Sequence, residues 1–154
     1  MSGPDRRSLI VAAGLSALTA RSALARDDSA ALCFDRYRQL INRHDFNLLA
    51  DQVMADDAVF VFSDKRHEGL AAVRDSFNRT WSILPDEVYD MTDPVWIVHT
   101  RDSAACTFRY RYAGTMADGR ALKGGGQGIN LFRSTARGWR LHYEQLTPDT
   151  DRNG

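Results

Sequence analysis

The stretch Ser103–Met116, "SAACTFRYRYAGTM", constrains the fold more than any other part of the chain. Cys106, Phe108, Tyr110 and Tyr112 fall on one side of an extended segment, and Thr107, Arg109 and Arg111 on the other. That two-residue period belongs to a sheet with one buried face. Turn signals follow at short intervals: "ADGR", with Asp118-Gly119 at its tip, then "TARG" before "GWRLHYEQL". Strands joined by such short connections are antiparallel neighbours. "VYDMTDPVWIVHT" precedes them and is β-rich, with Pro94 pointing to an edge or a bulge.

Upstream the period changes. Cys33, Phe34, Tyr37, Leu40, Ile41 and His44 recur at three- and four-residue spacing and predict a helix over 29–43. His44-Asp45 breaks it, and Asp45 is placed to cap a second, short helix, "FNLLADQVM". "DDAVFVFSD" reads as a strand. Gly69 precedes a third helix with a Leu70, Val73, Phe77, Trp81 stripe. Three helices followed by consecutive hairpins predict an α+β domain, its helices on one face of an antiparallel sheet.

Four glycines in "LKGGGQGINLFRS" (122–134) raise the question of a phosphate loop. A loop of the Walker type needs Gly-Lys-Ser/Thr after the glycines and then a helix. Here the lysine comes first and β-branched and aromatic residues follow. A dinucleotide fingerprint needs a parallel strand–turn–helix unit, which is also missing. The glycines therefore predict a strand that bends sharply or carries a bulge, and a strongly curved sheet can close around a pocket.

The first 25 residues read as a signal rather than as part of the fold. Arg6-Arg7 stand before an apolar run, Leu9 to Ala20, and Ala23-Leu24-Ala25 is a small-x-small cleavage pattern. The run falls short of the roughly 20 apolar residues needed to span a bilayer. The paired arginines resemble a twin-arginine export signal, with the general secretory route as the alternative. The expected location is periplasmic or secreted, with no membrane association after removal of the signal. Cleavage after Ala25 takes away three Arg and one Asp, leaving about 129 residues with a net charge of about −2. That is one domain, expected over 26–148, with a frayed tail at 149–154. The whole chain balances 18 Arg and 2 Lys against 17 Asp and 3 Glu, so no basic surface is implied and nucleic acid is not an expected partner. Cys33 and Cys106 are either a disulfide of an oxidising compartment or two buried thiols.

The order of these pieces, "YRQLINRHDFNLLADQVMADDAVFVF", "EGLAAVRDSF", "TW" and "YAGTMADGRALKGGGQGINLFRSTARGWRLHYEQLT", resembles the nuclear transport factor 2-like superfamily. Within it the chain is most similar to SnoaL-like proteins and to the association domain of calcium/calmodulin-dependent kinase II. The resemblance implies a cone, a curved antiparallel sheet packed on three N-terminal helices with a pocket at its open end. It also implies a homodimer through the outer sheet face. Members include isomerases, dehydratases and cyclases beside binding modules, so the fold leaves the function open.

Compared with the ketosteroid-isomerase branch, Tyr37 matches the tyrosine that donates to a substrate oxyanion. The branch's general base falls on Phe62, which cannot serve. Asp64 and His67 are the candidates to move a proton in its place. Many SnoaL-like relatives carry histidine where this chain has Gln145, which cannot transfer protons near neutral pH. Asp64, His67 and Glu68 match no established metal spacing, so no metal and no cofactor are expected. Tyr37, Phe77, Trp81, Phe108, Tyr110 and Tyr143 are the expected aromatic lining of the pocket, with Asn130 and Gln145 as polar groups. The expected ligand is a small apolar or aromatic molecule. Arg109 and Arg111 are expected to pair across the dimer. The leading expectation is an exported small-molecule-binding domain. Its rivals are a cofactor-independent isomerase, dehydratase or cyclase, and a dimerisation or partner-binding module.

Overall fold

The computed structural model describes residues 29–62 and 65–150. Residues 1–28, including the segment read as an export signal, residues 63–64 with Asp64, and residues 151–154 lie outside the described residues. Helix α1, Ala30–Leu40, opens on Ser29, whose hydroxyl accepts from the Leu32 amide at 3.1 Å. It ends in a 3-10 turn, Ile41–Arg43, and His44 in the left-handed region (φ 50°) reverses the chain. Asp45 caps α2, Phe46–Gln52, by accepting from the Leu48 amide, as the sequence predicts. Strands β1, Met54–Phe62, and β2, Lys65–Glu68, form a short hairpin, so His67 and Glu68 lie in a strand rather than in a loop. Helix α3, Gly69–Ile83, follows. Then come β3, Val88–His99, β4, Ser103–Thr115, β5, Ala121–Thr135, and β6, Gly138–Pro148.

The six strands make one curved sheet in the order β2-β1-β6-β5-β4-β3. The sheet is mixed, which corrects the antiparallel expectation: β1 runs parallel to β6. The two strands are joined through α3 and the whole meander, a connection long enough for a parallel pairing. Among the described residues no helix is long and apolar enough to cross a membrane.

The glycine run lies inside β5 and is not a loop. Gly124, Gly126 and Gly128 face Tyr112, Tyr110 and Phe108 across the β4–β5 register. A Cβ on Gly128 would stand 2.3 Å from the Phe108 ring, and one on Gly124 would stand 2.5 Å from the Tyr112 hydroxyl. The Phe108 and Tyr112 rings thus lie against backbone that has no side chain. Large aromatic residues can therefore share one face without filling the space above it.

The narrow end of the cone is solid. Phe34 of α1 packs edge-on against Phe108 (5.6 Å between centroids) and Trp96 (6.4 Å), and Trp96 meets Phe132 at 5.8 Å. Cys33 and Cys106 are buried thiols in this core. The Cys33 thiol contacts the Val53 carbonyl, and burial pushes the Cys106 thiol up to about 12. Asp149 is held rather than frayed. Its amide donates to the Gly125 carbonyl, and its carboxylate takes a two-pronged contact from Arg109 at 2.6 and 3.1 Å. Arg109 thus has its acid within the chain.

Candidate functional site

A cavity of about 310 Å³ opens at the wide end. Exposed Thr80 and Ile83 of α3, Leu122 of β5 and Pro148 of β6 form its mouth. Phe77 and Trp81 line one wall from α3, and Tyr110 and Tyr112 another from β4. Tyr37 and Glu144, each 1% exposed, form its floor.

Glu144 reaches the floor because β6 slips. Phe132 pairs with Leu141, but Leu131 pairs with Tyr143, so His142 is an extra residue on β6. Such a bulge reverses the alternation beyond it. Trp139 and Leu141 face inward before the bulge, and Glu144 and Leu146 face inward after it. Uninterrupted alternation would have put Tyr143 and Gln145 in the cavity. They lie on the opposite face, where the Tyr143 hydroxyl donates to Gln145 Oε1 at 2.9 Å.

The floor is a compact polar cluster in an apolar wall. The Tyr37 hydroxyl donates to Glu144 Oε1 at 3.1 Å. With its amide nitrogen turned toward Glu144, the orientation its neighbours demand, Asn130 donates to Oε2 at 2.9 Å. Burial raises the Glu144 carboxyl to about 8, against the pull of these two hydrogen bonds. Burial and then the Glu144 charge hold the Tyr37 hydroxyl well above its ordinary value, so it remains a proton donor. Glu144 is therefore poised to exchange a proton near neutral pH.

A second acid and an orphan hydroxyl complete the lining. Glu87 is buried beside Trp81, its carboxyl raised by burial and opposed by a hydrogen bond from the indole. Tyr89 stacks on Tyr110 (5.9 Å, 8° between planes). Its hydroxyl is buried with no hydrogen-bond partner in the described structure. The end of α1 sets both residues in place. Asn42 clamps the Tyr89 backbone, accepting from its amide at 2.7 Å and donating to its carbonyl at 2.8 Å. The His44 ring lies 3.1 Å from the Glu87 carbonyl and stacks on Trp81.

The structure brings Tyr37, Phe77, Trp81 and Tyr110 together in the cavity wall. Phe108 and Asn130 are buried behind it, Asn130 acting through Glu144. His67 pairs with Phe60 across the β1–β2 hairpin, its ring 5.8 Å from Phe62, and does not line the cavity. Phe62 does, at the position where the expected base is missing. Sequence reasoning missed Glu144, Glu87 and Tyr89. One signal was available: the chain has 17 Asp but only 3 Glu, and two of the three glutamates are in this cavity. Among the described residues no group of three or more His, Cys, Asp or Glu is placed to hold a metal ion.

Comparison with known proteins places this geometry. The profile of the SnoaL-like domain matches residues 34–143. No curated protein matches the sequence. The chain is similar to an NTF2-like superfamily protein from Salmonella enterica serovar Typhimurium at 14% identity, with TM-score 0.69 over 80% of this chain and 92% of that one. It is also similar to a protein proposed as a dehydratase of the NTF2-like family from Streptomyces avermitilis, at 18% identity, TM-score 0.66, 77% and 92% covered. A hexachlorocyclohexane dehydrochlorinase matches at 11% identity, TM-score 0.67, 77% and 81% covered. At these identities the likeness is one of fold.

Proposed function

The chain belongs to the SnoaL-like domain family, and from that premise we propose that it binds a small, mostly apolar molecule in the cone's cavity. The observation that carries this reading is the cavity itself: apolar and aromatic walls, and polar groups gathered at one end. The apolar body of a ligand would lie against Phe77, Trp81 and Tyr110, and its polar group would reach the floor. We propose further that the mature protein is exported and forms a homodimer through the outer sheet face. There Val88, Val95, Ile97 and Leu131 leave apolar surface exposed. Native mass spectrometry of the mature protein from its host's periplasm tests all three parts. A dimer carrying a defined extra mass is the expected result. A bare monomer, or recovery only from the cytosol with residues 1–25 intact, would count against them.

Glu144 favours a second reading, a cofactor-independent isomerase, dehydratase or cyclase. A carboxyl that titrates near 8 in an apolar pocket can take a proton from a bound substrate and return it. Tyr37 orients this acid from one side and Asn130 from the other. Two of the structural neighbours are named for eliminations, reactions that need such a base. Under this reading turnover of the cavity's ligand rises with pH along a limb near 8. Glu144→Gln removes that turnover while binding persists. Unchanged turnover in the variant would reduce the site to binding alone.

A further inference from the structure

The cavity is electrically one-sided. Glu87 and Glu144 line it, and among the described residues no Lys, Arg or His does. Elsewhere acids stand beside arginine: Asp149 with Arg109, Asp57 with Arg133, Asp56 with Arg137. Among the described residues, the buried carboxyls of Glu87 and Glu144 stand in no ion pair. A buried carboxylate forfeits its hydration unless it is paired, so without a cation these carboxyls favour their protonated form, and an ammonium brought against them would let them ionise.

Two further features favour the same kind of ligand. Seven lining side chains are aromatic, and ring faces attract cations, most strongly where water is excluded. The Tyr89 hydroxyl is buried in this wall, the residue being only 9% exposed, and its oxygen has no partner. It is free to accept a hydrogen bond from a ligand N–H.

We propose that the ligand is a small organic cation, an ammonium group on an apolar body, whose charge is met by Glu144 and Glu87 and whose N–H is accepted by the Tyr89 hydroxyl. The charged end lies at the floor and the apolar body toward Ile83, Leu122 and Leu146 at the mouth. This rests on the reading that the cavity binds a small molecule, and it names the class.

Two probes of one skeleton test it: benzylammonium and uncharged benzyl alcohol, titrated into the mature protein and followed by tryptophan fluorescence and calorimetry. Benzylammonium is expected to bind at least about tenfold more tightly, as an ion pair plus aromatic contacts would give. In Glu144→Gln that advantage should fall below about threefold, and in Glu87→Gln it should shrink less. Equal or tighter binding of the alcohol by the unaltered protein would overturn the cation while leaving the binding pocket standing. Failure of both probes at millimolar concentration would remove the pocket reading and the cation with it. The comparison of the two probes on the unaltered protein needs no variant to fold.

Discussion

The two ends of the cone are built from the same strands and differ in what packs over the aromatic residues. At the narrow end, Cys106 and Ala104 of β4 face Asn130 and Phe132 of β5. Phe34, Trp96 and Phe108 then close the space by edge-on contact. At the wide end Tyr110 and Tyr112 also face glycines, Gly126 and Gly124, but their rings line the cavity. One end is core and the other is cavity, although both carry aromatic side chains on the same alternating face. Aromatic content therefore does not tell a pocket from a core. What packs over the rings does: Phe34 covers Phe108, whereas Tyr110 and Tyr112 border the cavity.

This contrast can be broken at several points. The largest effect is expected at the solid end. Phe34→Ala empties a fully buried, edge-packed site and should cost about 3–5 kcal/mol in urea unfolding. A loss below about 1 kcal/mol would mean that the narrow end is not the packed core described here.

Glu144→Gln comes next, and its effect depends on pH. The folded carboxyl titrates near 8, above the ordinary glutamate value of about 4.3. Between those values the folded protein holds a proton that the unfolded chain has released. Stability therefore falls as pH rises through this window, by up to roughly 1.4 kcal/mol per pH unit, and is flat above it. The glutamine variant lacks that slope and should overtake the unaltered protein toward pH 8. Parallel stability curves for the two from pH 5 to 8 would refute the raised pKa.

Gly128→Ala sharpens the glycine argument. The new methyl would meet the Phe108 ring at 2.3 Å, and displacing that ring should cost about 1–3 kcal/mol. A neutral result would show that the ring gives way freely and that the bare backbone is not what seats it. The smallest effect is expected from Tyr89→Phe. It deletes a buried hydroxyl without a partner, so stability should stay the same or rise by up to about 1 kcal/mol, while affinity for benzylammonium falls. A clear loss of stability would reveal a hydrogen bond that the hydroxyl makes in solution.

Much of the fold was legible because it rests on local patterns. Asp45 as a cap, the α3 stripe of Val73, Phe77 and Trp81, and the alternation from Cys106 to Tyr112 all appear as the spacing predicts. Tyr37, Phe77, Trp81 and Tyr110 were legible as pocket residues for the same reason. The rest depended on pairing across the sheet. The parallel β1–β6 contact joins residues some 85 apart in sequence, such as Phe60 and Glu144, and carries no local signature. Glu87 and Tyr89 owe their placement to Asn42 and His44, more than 40 residues upstream.

The sequence by itself determined the class of the domain, the order of its elements apart from β2, and the aromatic face that lines the cone, because helix and strand periods are set by neighbours a few residues away. Only the tertiary structure decided which acid enters the cavity. One extra residue at His142 turns the end of β6 over, carrying Glu144 inward and Gln145 out. A bulge is fixed by the register of the partner strand, and a period of two holds no record of where it will be broken.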